Sequence, residues 1–111
     1  MYADDMGYGD FGAFNDGNVL TPNLDHLISD STCLSQHYSG SPVCSPSRAS
    51  LLTGRYPHRT GAITPQEVRG MDRIHSSEAT IGDVFGSNGY ATGLIGKWHN
   101  GALNPKYHPN N

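Results

Sequence analysis

The stretch Val43-Cys44-Ser45-Pro46-Ser47-Arg48-Ala49-Ser50-Leu51-Leu52-Thr53-Gly54 reads as a short helix with a cysteine at its threshold. Ser45-Pro46 supplies a capping hydroxyl with proline at a first-turn position, where a missing N–H costs nothing. Gly54 is placed as the C-terminal stop, so the helix is predicted to run to about Thr53. The first N–H groups of that helix lack intrahelical partners, and its dipole favours an anion beside Cys44. Arg48, one turn further on, can point a fork of donors back toward the same spot.

Outward from this helix, the chain alternates. "MYADD" (1–5) reads as the end of a strand, and "GYGDFGAFNDGN" (7–18) as a glycine-rich loop. Thr21-Pro22 opens a helix carrying Leu24, Leu27 and Ile28 at helical spacing. "TCLSQHY" (32–38) suits a short strand, and residues 55–76 lack periodicity and read mostly as loop. A third helix is expected from near Ser77, with Ile81, Val84 and Phe85 on one face and Gly89 beyond its end. "YATGLIG" (90–96) reads as an apolar strand ending at Lys97-Trp98-His99, and 102–111 as a polar loop. This order predicts an α/β fold, a largely parallel sheet flanked by helices. Ligands collect at the carboxyl ends of such strands, where Asp4-Asp5 and Lys97–His99 both fall.

The 111 residues suit about one domain, but 14 glycines, 7 prolines and 35% apolar residues leave a thin core. Residues 1–30 hold six aspartates (4, 5, 10, 16, 25, 30) and no Lys or Arg, while residues 31–66 hold Arg48, Arg55 and Arg59 and no acid. Such a division suits a site holding a cation and an anion, or two surfaces that neutralise each other. No basic stripe points to nucleic acid, no run is long and apolar enough to span a membrane, and no signal-peptide pattern precedes Asp4. Two cysteines, Cys33 and Cys44, make no disulfide framework.

Gly7-x-Gly9-x-x-Gly12 fits a dinucleotide fingerprint by letter only. No helix opens there, and two carboxylates precede it, so the glycines are expected to turn the chain beside a metal instead. Asp4 and Asp5 are hard oxygen donors suited to calcium or magnesium, and can share one ion only where the backbone bends. Two aspartates do not fill a calcium shell, so other ligands are required; the alternative is two acids on an exposed turn. Cys33, His37 and Cys44 lack zinc-site spacing. By its residues alone, Cys44 suits a buried thiol, or a nucleophile with His37, His58 or His99 as base. Lys97 and His99, two apart at a strand end, can share a face, with Trp98 turned to packing. They offer a point charge and a proton donor, or simply two exposed polar groups flanking a core tryptophan.

Together these blocks resemble a known family. "CSPSRASLLTG" resembles the type I sulfatase signature C-x-P-S-R followed by T-G, in which the cysteine is oxidised to formylglycine. "ADDMGYGD", "TPNLDHL", "TGRYPHRTG" and "GYATGLIGKWHNG" resemble further blocks of that family in the same order. Ser31 departs, standing where a glycine is common. The resemblance implies an alkaline-phosphatase-like fold, here incomplete. It implies Asp4, Asp5 and the modified Cys44 as ligands of calcium, or of magnesium. Cys44, Arg48, Lys97 and His99 match the catalytic group, with Arg48 holding the hydrated aldehyde and Lys97 and His99 contacting sulfate and the hydroxyls of the hydrated formylglycine.

In the implied chemistry, one hydroxyl of the hydrated aldehyde displaces the alcohol from a sulfate monoester. The other then loses its proton and expels sulfate as the aldehyde re-forms. The implied partners are a sulfate ester and a formylglycine-generating enzyme; the implied compartment is periplasmic, secreted or lysosomal. Family members run to several hundred residues, so residues 1–111 are expected to form the N-terminal part of the catalytic domain, truncated at both ends and inactive alone. A phosphate or phosphonate monoester hydrolase of the same superfamily, or a non-catalytic metal- or anion-binding remnant, are the alternatives.

Overall fold

A computed structural model describes residues 2–66, 70–101 and 103–109. The chain divides into two compact units, Met1–His37 and Tyr38–Asn111.

In the first unit, two 3-10 turns (Tyr8–Asp10 and Gly12–Phe14) lead to helix α1 (Pro22–Asp30). The glycine-rich stretch is therefore a folded knot, not an open loop. Asp10 Oδ2 accepts the Gly7 N–H at 2.7 Å, Asn15 Nδ2 donates to the Gly9 carbonyl, and the rings of Tyr8 and Phe14 stack at 4.2 Å. α1 begins at Pro22 as expected, but Thr21 does not cap it with its side chain. The Thr21 hydroxyl instead accepts from Gly12 N–H and donates to Asp25 Oδ1, which also accepts from Ala13 N–H. Packing accounts for glycine at this position: a Cβ at Gly12 would lie 2.6 Å from both Asp25 Oδ2 and the Val19 carbonyl. Gly12 is glycine because α1's acid packs against it, and no phosphate is needed to explain it.

The second unit is built on α2 (Cys44–Thr53), which packs against α3 (Pro57–Thr60) and α4 (Ile81–Ser87). α2 opens two residues earlier than expected. Val43 is the N-cap, Cys44 the first helical residue, and Ser45 is buried within the first turn. Its hydroxyl therefore caps nothing and donates to the carbonyl of Asp72 at 2.7 Å. Gly54 closes the helix in the left-handed conformation, its N–H returning to the Ser50 carbonyl. α3 was not expected; Pro57 at its first turn and Gly61 at its end give it the same punctuation in miniature.

α4 starts at Ile81, four residues later than Ser77, because Thr80 and Asp83 form a reciprocal capping box. The Ala49, Ala62 and Ile74 side chains form the apolar core, with Leu52 and Trp98 packed against it. Segments 60–64 and 71–75 are tied by Ile63 and Thr64 N–H groups donating to the Met71 carbonyl and by His75 N–H donating to Thr60.

The parallel sheet is the expectation the structure does not bear out: among the described residues there is no strand. Strands exist only through pairing, and 2–5, 32–38 and 90–96 form no hydrogen-bonded ladder with any described segment. A strand buried in a parallel sheet would hide Leu94 and Ile95, yet Leu94 is 46% exposed and Ile95 wholly exposed. The face of α4 expected to pack, Ile81, Val84 and Phe85, is likewise about half exposed.

Candidate functional site

Asp4 and Asp5 lie in the first unit, exposed, with Asp5 in the left-handed region at φ 58°. An aspartate there is uncommon, and it supplies the bend that lets two adjacent carboxylates leave strand-like alternation. The remaining acids of this unit are partly spent. Asp10 and Asp25 accept backbone N–H groups, and Asp30 meets His26 Nδ1 at 3.0 Å on the surface of α1. The donor set at Asp4 and Asp5 is hard oxygen, which fits calcium or magnesium.

The second unit carries Cys44, Arg48, Lys97 and His99. Cys44 is half-buried at the start of α2, where the helix dipole favours negative charge. The helix is fixed from behind by Ser45 on Asp72 and by the 2.6 Å contact of the Ser47 and Ser39 hydroxyls. Arg48 is brought to the Lys97 segment: its Nη1 donates to the Lys97 carbonyl at 2.6 Å. The guanidinium thus holds the backbone of residue 97 while the Lys97 side chain stays on the exposed surface.

Residues 97–99 are not the strand end on which Lys97 and His99 were expected to share a face. His99 sits at φ 53°, so side-chain alternation breaks there. Its Nε2 lies 3.1 Å from the Pro65 carbonyl. Trp98 does turn to packing: it lies on the core, and its Nε1 donates to the Tyr107 carbonyl at 2.8 Å. Arg73 stacks on the other aspect of this corner, 4.4 Å from the Tyr107 ring centre. Gly101, at φ 95°, closes it; a Cβ there would meet Tyr107 Cβ at 2.7 Å and Arg73 Cβ at 3.1 Å.

Of the three arginines in residues 31–66, Arg55 is held in an ion pair. Its Nη1 contacts both Glu78 carboxylate oxygens at 2.7–2.8 Å, and Glu78 is largely buried. Sequence reading missed Ser45 as an anchor, taking it for a cap, and missed Pro65. A backbone carbonyl leaves no residue-type signal, so nothing in the letters at 65 marked it. Among the described residues no helix is long and apolar enough to cross a membrane.

The sulfatase family profile matches residues 2–110. Over 108 residues the chain is 42% identical to arylsulfatase H of Canis lupus familiaris, covering 91% of this chain and 19% of that protein. It is 41% identical over 119 residues to N-acetylgalactosamine-6-sulfatase of Homo sapiens, covering 98% of this chain and 22% of that protein. The crystal structure of Ps i-CgsB matches with a TM-score of 0.84 at 41% identity, over 96% of this chain and 24% of that one. The same protein in complex with k-i-k-neocarrahexaose matches with a TM-score of 0.85 at 40% identity. The chain spans about a fifth of the length of the curated relatives it matches.

Proposed function

Because the chain belongs to the sulfatase family, a family of sulfuric ester hydrolases, we propose that it carries the nucleophile-bearing part of a sulfate monoester hydrolase. The observation that carries this reading is the joint placement of Cys44 and Arg48 on α2, with Arg48 bound to the backbone of Lys97. One helix thereby supplies the reacting position, an electropositive N-terminus and a cation, and fixes the segment holding Lys97 and His99. A tetrahedral sulfate carries spread negative charge, which donors arranged beforehand stabilise best as the ester bond breaks.

In this reading Cys44 is the precursor of formylglycine. Sulfur is a soft donor, poorly matched to calcium or magnesium, whereas the oxygens of a hydrated aldehyde are hard. Replacement of sulfur by oxygen therefore makes position 44 both a nucleophile and a ligand compatible with Asp4 and Asp5. Calcium, or magnesium in its place, would be held by Asp4, Asp5 and the modified residue 44, and would neutralise charge on the transferring group. Arg48 orients the hydrated side chain, Lys97 supplies a point charge to sulfate, and His99 exchanges a proton with a hydroxyl. Residues 1–111 act as the N-terminal part of a larger catalytic domain.

The test is mass spectrometry of the peptide containing Cys44 after co-expression with a formylglycine-generating enzyme. Conversion of Cys44 is expected. A thiol that persists while an authentic sulfatase in the same cells is converted overturns the reading and favours a non-catalytic remnant. Matched sulfate and phosphate monoesters, offered to the whole enzyme, separate a sulfatase from a phosphate or phosphonate hydrolase.

A further inference from the structure

We propose that the carbonyl of Pro65 fixes His99 as the Nε2–H tautomer, so that a bare Nδ1 is the only ring atom left for chemistry. A carbonyl can only accept, so the 3.1 Å contact between His99 Nε2 and Pro65 O requires the proton to sit on Nε2. In a neutral imidazole Nδ1 is then a lone-pair acceptor. That atom is shut off from solvent and has no hydrogen-bond partner among the described residues.

A buried acceptor without a donor is unfavourable by about 1–3 kcal/mol. It is retained where the donor arrives with a ligand or a reacting group. The surrounding backbone enforces the placement. His99 stands at φ 53°, with Trp98 pinned by Tyr107 on one side and Gly101 packed against Tyr107 and Arg73 on the other. The backbone carrying the ring is thereby held in place, and the bond to Pro65 sets which ring nitrogen faces that carbonyl.

The consequence is directional. Sequence reading gave His99 the role of proton donor. Held by Pro65, neutral His99 offers no N–H to the site; it accepts a hydrogen bond or a proton from an O–H at Nδ1, and donates from Nδ1 only after that. Pro65 is thus a positioning residue acting through its main chain. The assignment of His99 to a sulfate-ester site rests on the function proposed above, whereas the tautomer does not depend on it.

Nitrogen-15 NMR of the imidazoles in the full chain, at alkaline pH where they are neutral, reads the tautomer directly. A pyrrole-type Nε2 with a slowly exchanging proton and a pyridine-type Nδ1 are expected for His99. The opposite tautomer, or rapid averaging of the two, would overturn the proposal whether or not Cys44 is ever modified. In Pro65→Gly, which loosens the loop presenting the carbonyl, the His99 signals should move toward the averaged values. Unchanged signals in that variant would show that another group sets the tautomer, which also sinks it. The wild-type spectrum stands as a test even if that variant does not fold.

Discussion

The Ser45 hydroxyl donates to the carbonyl of Asp72, fully buried, across 27 positions of sequence. This bond ties the first turn of the helix bearing Cys44 to segment 71–75, which is itself hydrogen-bonded to 60–64. Removing the hydroxyl leaves a buried carbonyl unsatisfied, which costs about 1–3 kcal/mol. Ser45→Ala is therefore expected to lower the free energy of unfolding, measured by urea titration, by that amount. A variant within ~0.3 kcal/mol of the parent would mean that the anchor contributes little.

Calcium binding to this chain should be weak. Asp4 and Asp5 offer at most about four oxygens, against the roughly six to eight that calcium takes. Calorimetric titration is expected to give a Kd above ~10⁻⁴ M, weakened further by Asp5→Asn. Binding tighter than ~10⁻⁶ M, or binding indifferent to Asp5, would contradict the assignment of this pair.

Gly101→Ala combines a left-handed backbone with an overlap against Tyr107 and Arg73. The backbone penalty is about 1–2 kcal/mol, and overpacking adds typically ~1–3 kcal/mol. Trp98 is the single tryptophan and bonds to Tyr107, so its fluorescence reports this corner directly. A red-shifted emission and a lower melting temperature are expected; an unchanged spectrum would show that the corner has slack.

Asp83 brings a pH dependence of known sign. The Thr80 hydroxyl, then the Thr80 backbone N–H, donate to its carboxylate and hold it below the ordinary value of 3.8. A carboxyl lowered in the folded state stabilises above its unfolded pKa, and that contribution is lost as pH falls through the folded value. Asp83→Asn should flatten this acid limb of the melting curve, by a small amount because the group is solvent-exposed. Thr80→Ala should remove the cap at every pH, costing about 1 kcal/mol. An acid limb identical in Asp83→Asn would exclude Asp83 as its source.

Local punctuation was legible in the letters, and long-range pairing was not. Thr21-Pro22, Ser45-Pro46 and Gly54 marked α1 and α2 to within a residue or two, because caps and stops act over one turn. The Trp98 packing was legible for the same reason, as one apolar ring amid polar neighbours. The sheet was inferred from alternation, but a strand is a property of two segments, and 90–96 finds no partner among the described residues. The site divides in the same way. The signature around Cys44 named candidate residues, yet whose carbonyl Arg48 would hold, or what would face His99, depends on chain positions 49 and 34 residues away.

Only three non-glycine residues adopt the left-handed backbone among those described, and two of them are Asp5 and His99. Glycine would enter that conformation at no steric cost. A screen for sturdier variants would therefore be drawn toward Asp5→Gly and His99→Gly, and would discard the two side chains to which the proposed function assigns metal binding and proton exchange. Consensus or stability-guided engineering of this chain should hold both positions fixed, because thermal robustness and the proposed reactivity pull them in opposite directions.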